Sequence, residues 1–235
     1  MSGYFITFEG TEGSGKSTQI ELLAAEARQT GRVVRLIREP GGTPIGEEIR
    51  HTLKHSPHNH AMTPETELLL INASRAQLVR EVIRPALAAG EVVLCDRFYD
   101  STVVYQGYGR GLDLARVREV IDFAVGETRP DLTLLLYIPL ELSERRRSER
   151  LGNARLAGSA DGKGAVRPEL ARDRFEEADV AFFERVEAGY REVALAEAGR
   201  VCQIDAARPV AVVAAEIWEL VGRRLTDPPV AGSWP

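Results

Sequence analysis

Cysteine, long apolar runs and surplus positive charge are all scarce in this sequence of 235 residues. Its two cysteines, Cys95 and Cys202, lie far apart and match no metal-binding spacing, which suits a reducing compartment. No stretch approaches 18 apolar residues and the N-terminus lacks the pattern of a signal peptide. Thirty basic residues against 35 acidic ones give a net charge of −5, which excludes a global attraction to polyanions. We therefore expect a cytoplasmic protein that binds neither a membrane nor a nucleic acid polymer.

What the sequence does contain is a regular alternation of apolar runs and helical patterns, which is typical of a parallel sheet with crossover helices. Five strands are predicted, at residues 4–9, 32–38, 91–95, 132–138 and 200–205. Helices are predicted at residues 16–30, 44–54, 64–89 (with a kink near Pro85), 113–126, 140–150, 169–198 and 210–225. The sequence therefore predicts an α/β fold with a five-stranded parallel sheet flanked by helices.

One segment breaks this alternation. Residues 151–167 contain four glycines and little periodicity, and they interrupt two helical patterns. We predict a lid segment there, at about residues 143–172, within a single domain that spans residues 1–225. Residues 226–235 are predicted to form a flexible tail.

A phosphate-binding loop is the clearest motif. It fits the pattern GxxxxGK[ST], between an apolar strand and a helix, and therefore predicts a P-loop NTPase fold that binds ATP or GTP. Its glycines let backbone N–H groups point at phosphate oxygens, Lys16 reaches the terminal phosphates, and Ser17 is a ligand for Mg²⁺. The predicted nucleotide-binding residues are Gly10, Thr11, Glu12, Gly13, Ser14, Gly15, Lys16, Ser17 and Thr18.

A second set of polar residues predicts a second anion. The third predicted strand is followed by Asp96 and Arg97, where the acid can hold magnesium-bound water and the arginine can bind phosphate. Further arginines, Arg38, Arg50 and Arg75, lie near strand ends or on helices that face the same edge of the sheet. No NKxD signature for GTP is present. The pattern therefore favours transfer between two phosphate-bearing ligands over hydrolysis.

The order of motifs resembles that of the thymidylate kinase family, whose P-loop enzymes phosphorylate dTMP to dTDP. The resemblance rests on FEGTEGSGKST, REPGGTPIGEEIR, SRAQL, DRFYDSTVVYQGYGRGL, RPDLTLLL and DRFEEADVAFFERVEAGY. They cover most of the chain apart from residues 151–170 and the tail. The resemblance implies ATP and dTMP as substrates, Mg²⁺ as cofactor and a homodimer formed through long helices.

The resemblance also implies roles for individual residues. Glu12 would face the 3′-hydroxyl of dTMP, which explains an acid inside a phosphate-binding loop. The residues that would bind dTMP are Glu12, Arg38, Arg50, Ile71, Arg75, Arg97, Thr102, Tyr105 and Gln106. Arg97 and Arg38 would hold its phosphate, and Arg75 and Gln106 would read thymine. Family members often have phenylalanine at the position of Ile71, so here dispersion replaces aromatic stacking.

The lid would supply the catalytic arginine, because the variable part of this P-loop contains an acid and no basic residue, as in the bacterial members. Arg150 is the preferred candidate, and Arg146 is a possible partner of adenine. Three more lid arginines, Arg155, Arg167 and Arg172, stay open. The expected catalytic set is Lys16, Arg97, Arg150 and Glu12, with Ser17 and Asp96 at the metal.

Other interpretations of these residues stay open. Tyr105 could be core packing, Gln106 could cap a turn in a YQGYGRG loop, and Glu12, Arg50 or a lid arginine could be a solvated charge. Two rival functions also remain. One is a kinase for another nucleoside monophosphate, and the other is a nucleotide-binding regulatory protein without catalysis.

Overall fold

The computed structural model describes residues 3–146, 148–149 and 179–226. Its centre is a five-stranded sheet in the order β2-β3-β1-β4-β5, in which every neighbouring pair is parallel. The strands are β1 (Tyr4–Glu9), β2 (Val34–Arg38), β3 (Val92–Asp96), β4 (Leu132–Tyr137) and β5 (Val201–Asp205). The predicted fold class is therefore confirmed, and the predicted strand ends differ from the observed ends by at most two residues. The predicted lid and tail lie largely outside the described residues.

Helices cover both faces of the sheet. Those within the described residues are α1 (Lys16–Gln29), α2 (Pro44–His55), α3 (Pro64–Leu78), α4 (Arg84–Ala88), α5 (Tyr99–Thr102), α6 (Leu114–Val125), α7 (140–146), α8 (Val180–Ala196) and α9 (Val210–Thr226). Two predicted starts are confirmed. Thr63 caps α3 by accepting a hydrogen bond from the Thr66 amide at 3.2 Å, and Asp113 caps α6 through the Arg116 amide at 2.9 Å. No helix in these ranges is both long and apolar enough to cross a membrane.

The core consists of two apolar layers, one on each face of the sheet. Side chains alternate along β1, so Ile6 and Phe8 lie in the layer covered by α1 and α9, whereas Phe5 lies in the layer covered by α3, α6 and α8. All three are fully buried. Burial of each contributes roughly 1.5–3 kcal/mol, so the sheet is held from both sides, as parallel sheets usually are.

Strand register brings two distant loops together. Phe8 of β1 lies opposite Asp96 of β3 in the parallel pair, and the Arg97 amide donates to the Phe8 carbonyl at 2.9 Å. The segments that follow these two strands therefore leave the same edge of the sheet side by side. That edge is where ligands bind in open parallel sheets.

The helix predicted for residues 64–89 is not one regular α-helix. It forms α3, widens into a π-helical segment at Val79–Ile83 and resumes as α4. Pro85 provides the physical reason, because it has no N–H to donate and its ring crowds the carbonyl four residues earlier. Where the sequence predicts a kink near Pro85, the structure has a change of helix type, from α to π, ahead of the proline.

The YQGYGRG segment is largely helical, so its interpretation as a loop was wrong. After α5 the chain continues as a π-helical segment over Val103–Gly109. Its glycines make room for neighbours. A Cβ at Gly109 would lie 2.6 Å from the Phe182 ring, and one at Gly107 would lie 2.5 Å from Leu114. Tertiary packing therefore overrides the low helix propensity of glycine.

Candidate active site

The P-loop has the backbone shape that phosphate binding requires. Gly10, Gly13 and Gly15 have φ of 132°, 76° and 91°, a region that side chains disfavour. A Cβ at Gly10 would also lie 2.3 Å from the Leu136 carbonyl oxygen, so glycine is required there for close approach as well. Gly15 caps α1, and the positive end of that helix therefore faces the loop.

Lys16 lies folded over its own loop. Its ammonium donates to the carbonyl oxygens of Gly10 at 3.1 Å and Thr11 at 3.0 Å, and only 7% of the residue is exposed. Burial, and secondarily the positive charge of Arg97, lowers the pKa of Lys16 to about 8. The negative charge of a bound triphosphate would favour the protonated form again. Lys16 is thus placed to exchange two carbonyl partners for phosphate oxygens.

Ser17 and Asp96 form an oxygen pair at the start of α1 and the end of β3. The Ser17 hydroxyl donates to Asp96 Oδ2 at 3.2 Å, although the two residues are 79 positions apart. Hydroxyl and carboxylate oxygens are the hard ligands that Mg²⁺ prefers, and phosphate and water complete its coordination. The pair therefore fits the predicted magnesium site.

Arg97 is the central cation of the site. It is the one non-glycine residue with positive φ, 67°, in the described ranges, and such strain occurs mostly at functional sites. Its Nη1 donates to Ser101 Oγ at 3.0 Å and to the Tyr190 hydroxyl at 3.1 Å. Its guanidinium carbon lies 5.1 Å from the centre of the Tyr105 ring. The side chain is therefore held from several directions.

Glu12 connects the P-loop to Arg97. Its Oε2 lies 3.8 Å from Arg97 Nη2, and about a third of the side chain is exposed. Helix α7 contacts the loop, because Ser143 Oγ donates to the Glu12 carbonyl at 2.6 Å. Arg146 Nη1 donates to the carbonyls of Gly13 at 3.2 Å and Ala206 at 3.4 Å. Arg146 thus lies beside the nucleotide-binding loop.

Two further arginines lie at the segment after β2. Arg38 Nη2 donates to Glu47 at 3.0 Å, and its Nη1 donates to the Pro40 carbonyl at 3.1 Å. Arg50 Nη1 donates to the same carbonyl at 2.9 Å. The structure therefore brings Arg38 and Arg50 together around one backbone oxygen.

The predicted base-reading residues form a buried layer between α3 and the helical segment that begins with α5. Arg75, 1% exposed, donates to Glu39 at 2.8 Å and to the Thr102 hydroxyl at 2.9 Å. Gln106 donates its amide to Glu67 at 2.8 Å. Ile71 lies one turn before Arg75 and is also buried. Arg75 and Gln106 are thus already hydrogen-bonded to buried acids that sequence reasoning did not single out.

The remaining predicted residues are Ser14, which is buried in the P-loop, Thr18 and the lid arginines. Thr18 lies exposed in the first turn of α1. The preferred catalytic arginine, Arg150, falls outside the described residues, as do Arg155, Arg167 and Arg172.

Sequence reasoning missed a second layer beneath Arg97. Glu9, at the end of β1, is fully buried and accepts hydrogen bonds from the Phe98 amide at 2.8 Å, Ser101 Oγ at 2.5 Å and the Tyr190 hydroxyl at 3.1 Å. Burial, and secondarily the nearby charge of Asp100, raises the pKa of Glu9 to about 7. An acid that ends a buried strand one residue before the P-loop was the available signal.

The raised pKa of Glu9 predicts a pH-dependent stability. The folded chain holds a proton on Glu9 that the unfolded chain loses near pH 4.5, where a solvated glutamate ordinarily titrates. The contribution to stability is therefore present below pH 4.5 and lost as pH rises through about 7, by at most about 3 kcal/mol. Urea unfolding from pH 5 to pH 8 should show this fall, and Glu9→Gln should flatten it. An identical pH profile in Glu9→Gln would assign the fall to other groups.

Comparisons with known proteins point in one direction. A family model described as thymidylate kinase matches residues 8–217. The thymidylate kinase of Pseudomonas savastanoi pv. phaseolicola is 47% identical over 225 residues, which cover 96% of this chain and 98% of that protein. That of Desulforudis audaxviator is 45% identical over 237 residues, which cover 100% of this chain and 97% of that protein.

A solved structure is also similar. The crystal structure of thymidylate kinase from Ehrlichia chaffeensis matches with a TM-score of 0.70 at 28% sequence identity, covering 94% of this chain and 99% of that one. The family model covers most of the sequence, and both relatives match over nearly their full length. The chain belongs to the thymidylate kinase family.

Proposed function

We propose that this chain transfers the γ-phosphoryl group of ATP to dTMP, giving dTDP and ADP, through the residues described above. The observation that carries the proposal is the meeting of two anion-binding elements, the P-loop after β1 and Arg97 after β3. Glu12 Oε2 and Arg97 Nη2 lie 3.8 Å apart where the two elements meet. Hydrolysis of ATP needs the first element alone, whereas transfer between two nucleotides needs both.

On the donor side, the P-loop amides and Lys16 bind the phosphates of ATP. Ser17 and Asp96 would hold Mg²⁺, which when bound would offset part of the phosphate charge. A phosphate oxygen of dTMP attacks the γ-phosphorus, and the new P–O bond forms as the bond to the ADP oxygen breaks. No general base is needed, because the attacking oxygen is already deprotonated. Catalysis is therefore positioning plus charge stabilisation.

On the acceptor side, Arg97 binds the dTMP phosphate, with Arg38 and Arg50 contributing from the neighbouring segment. Glu12 accepts a hydrogen bond from the 3′-hydroxyl and so aligns the acceptor from the donor loop. The Tyr105 ring, held against Arg97, leaves little room for a 2′-hydroxyl. The closeness of Glu12 to Arg97 supports this assignment, because a single dTMP could span both.

The base is read by the buried layer of α3 and the helical segment after β3. Arg75 contacts a thymine carbonyl, and Ile71 covers the ring by dispersion. The hydrogen bonds of Arg75 to Glu39 and Thr102 support this role by fixing its orientation before the base arrives. Gln106 donates to Glu67, so its amide oxygen is the atom that accepts from thymine N3–H.

We assign Arg146 to the ATP side, because its guanidinium lies beside the carbonyl of Gly13 in the P-loop. Arg150 remains the proposed catalytic arginine of the lid.

A cytoplasmic homodimer is also proposed. Exposed apolar side chains on two helices support the dimer: Leu69 of α3 is 59% exposed and Phe123 of α6 is 86% exposed. A monomer in sedimentation velocity at micromolar concentration would contradict the dimer.

The experiment that tests the proposed function is acceptor-dependent release of ADP in the presence of ATP and Mg²⁺. dTMP, dUMP, UMP, CMP and AMP are compared in parallel at equal concentration. We expect dTMP to be preferred by at least about tenfold in kcat/KM over UMP. The 2′-hydroxyl of UMP would be crowded by the Tyr105 ring, and a crowded polar group costs more than about 1.4 kcal/mol.

The other outcomes separate the rival functions. A preference for UMP, CMP or AMP would keep the transfer reaction and overturn the roles given to Arg75, Tyr105 and Gln106. ATP binding without acceptor-dependent ADP release would contradict the proposed reaction and favour a regulatory nucleotide-binding protein.

A further inference from the structure

The hydroxyl of Tyr190 lies at the centre of the buried polar layer beneath Arg97. It accepts a hydrogen bond from Arg97 Nη1 at 3.1 Å, donates to Glu9 Oε2 at 3.1 Å and lies 3.1 Å from Ser101 Oγ. Tyr190 belongs to α8 and is 93 residues from Arg97 in sequence. The residue is 4% exposed, so the hydroxyl is removed from bulk water.

We propose that Tyr190 is a positioning residue that aims the Arg97 guanidinium at the acceptor phosphate. The inference rests on the proposed function of Arg97. Because Tyr190 is 4% exposed and its hydroxyl contacts Arg97 and Glu9, its effect passes through Arg97.

The division of hydrogen bonds on Arg97 supports this role. Both hydrogens of Nη1 are used by the protein, one on Ser101 and one on Tyr190. Nη2 instead faces Glu12 and the Tyr105 hydroxyl, on the side of the guanidinium that meets the P-loop. With Nη1 anchored, the planar guanidinium presents its Nη2 side to an incoming phosphate.

Anchoring matters because an arginine side chain loses rotamer entropy when it is fixed. If the protein fixes the side chain in advance, substrate binding does not bear that cost. The backbone at Arg97 is already in a strained conformation, which further limits where the side chain can point. Tyr190 supplies the last constraint, at the end of the side chain.

Glu9 sets the direction of the Tyr190 hydrogen bond. When Glu9 is ionised, its Oε2 accepts the hydrogen bond of the tyrosine O–H, so the lone pairs of the hydroxyl remain for the Arg97 N–H. The Tyr190 ring is fixed separately, by an edge-to-face contact with Tyr105 at 6.3 Å between ring centres. Removal of the hydroxyl alone should therefore leave the packing of the ring intact.

The test is Tyr190→Phe, measured as KM for dTMP, KM for ATP and kcat. Loss of a hydrogen bond to a charged group should raise KM for dTMP about tenfold. KM for ATP and kcat should stay within about twofold of wild type, because Lys16 and the P-loop are untouched. The matched control is Tyr137→Phe. It removes a hydroxyl that binds α8 through Glu187 at 2.9 Å and is expected to leave KM for dTMP unchanged.

Two further measurements keep the test decisive. In an Arg97→Ala background, Tyr190→Phe should produce no additional change in KM for dTMP, because the residue it positions is gone. Ser101→Ala removes the other acceptor of Nη1 and should shift KM for dTMP in the same direction, which provides an independent variant if Tyr190→Phe is poorly folded.

Four results would overturn the inference. These are an unchanged KM for dTMP in a folded Tyr190→Phe, an equal rise for ATP, an equal rise in Tyr137→Phe, and an additive effect in the Arg97→Ala background. Wild-type enzyme is assayed first, so that a failed reaction is distinguished from a failed inference. Absence of dTMP-dependent ADP release in wild type would overturn the proposed function and this inference with it. Normal wild-type activity with any of the four results would overturn the inference alone.

Discussion

Lys16→Ala should lower kcat by about 10³-fold, while the chain stays folded. In the proposed reaction Lys16 follows the γ-phosphoryl group as its charge shifts, and among the described residues it donates to two carbonyl oxygens of its own loop. Its removal therefore takes away transition-state stabilisation but little of the core. The measurement is steady-state kcat with saturating ATP and dTMP, accompanied by a thermal unfolding scan.

The control for this variant is Lys54→Ala, in the last turn of α2, a helix that follows a different strand from the P-loop. It should keep wild-type kcat. Wild-type turnover in Lys16→Ala would refute the assignment of Lys16 to phosphoryl transfer. A fall in KM for ATP together with kcat would point instead to relief of ground-state strain.

Arg97→Ala should raise KM for dTMP by about 10²-fold, with a smaller effect on KM for ATP. Truncation of one partner of a buried, hydrogen-bonded charge pair costs about 2–5 kcal/mol, and about 1.4 kcal/mol corresponds to a factor of ten. The phosphate of dTMP would lose its principal cation, whereas the P-loop would still bind ATP. Initial rates over a matrix of dTMP and ATP concentrations separate the two constants.

Arg118→Ala is the matched control, since it removes an exposed arginine of α6. Its kinetics should be those of wild type. An equal rise of KM for ATP and for dTMP in Arg97→Ala would place Arg97 between the nucleotides rather than on the acceptor side. An unchanged KM for dTMP would remove Arg97 from the binding site.

Local signals account for what the sequence could predict. The P-loop is contiguous, and its conformation depends on its own glycines, Gly10, Gly13 and Gly15, which the structure shows at positive φ. Asp96 and Arg97 directly follow an apolar strand, so their place at the sheet edge also follows from adjacent residues. Strand positions were predictable for the same reason, because parallel strands buried on both faces are continuous apolar runs.

Contacts between distant segments account for what was missed. Tyr190 reaches Arg97 across 93 residues, and no periodicity of α8 distinguishes it from a core tyrosine. The role of Glu9 beneath Arg97 could not be predicted, because the residues that donate to it, Phe98 and Ser101, follow a different strand. The helical form of Val103–Gly109 depends on Phe182 and Leu114 filling the space beside two glycines. Such arrangements follow from tertiary packing and cannot be inferred from neighbouring residues.

The pairing of Phe8 with Asp96 makes the activity of the enzyme depend on the register between β1 and β3. Displacement of β3 by one residue would turn Asp96 to the opposite face of the sheet and separate it from Ser17. A refolding chain could therefore regain full helical circular dichroism while the sheet is misaligned and the chain inactive. The time at which activity returns during refolding would therefore measure when β1 and β3 reach their correct register, independently of how much secondary structure has formed.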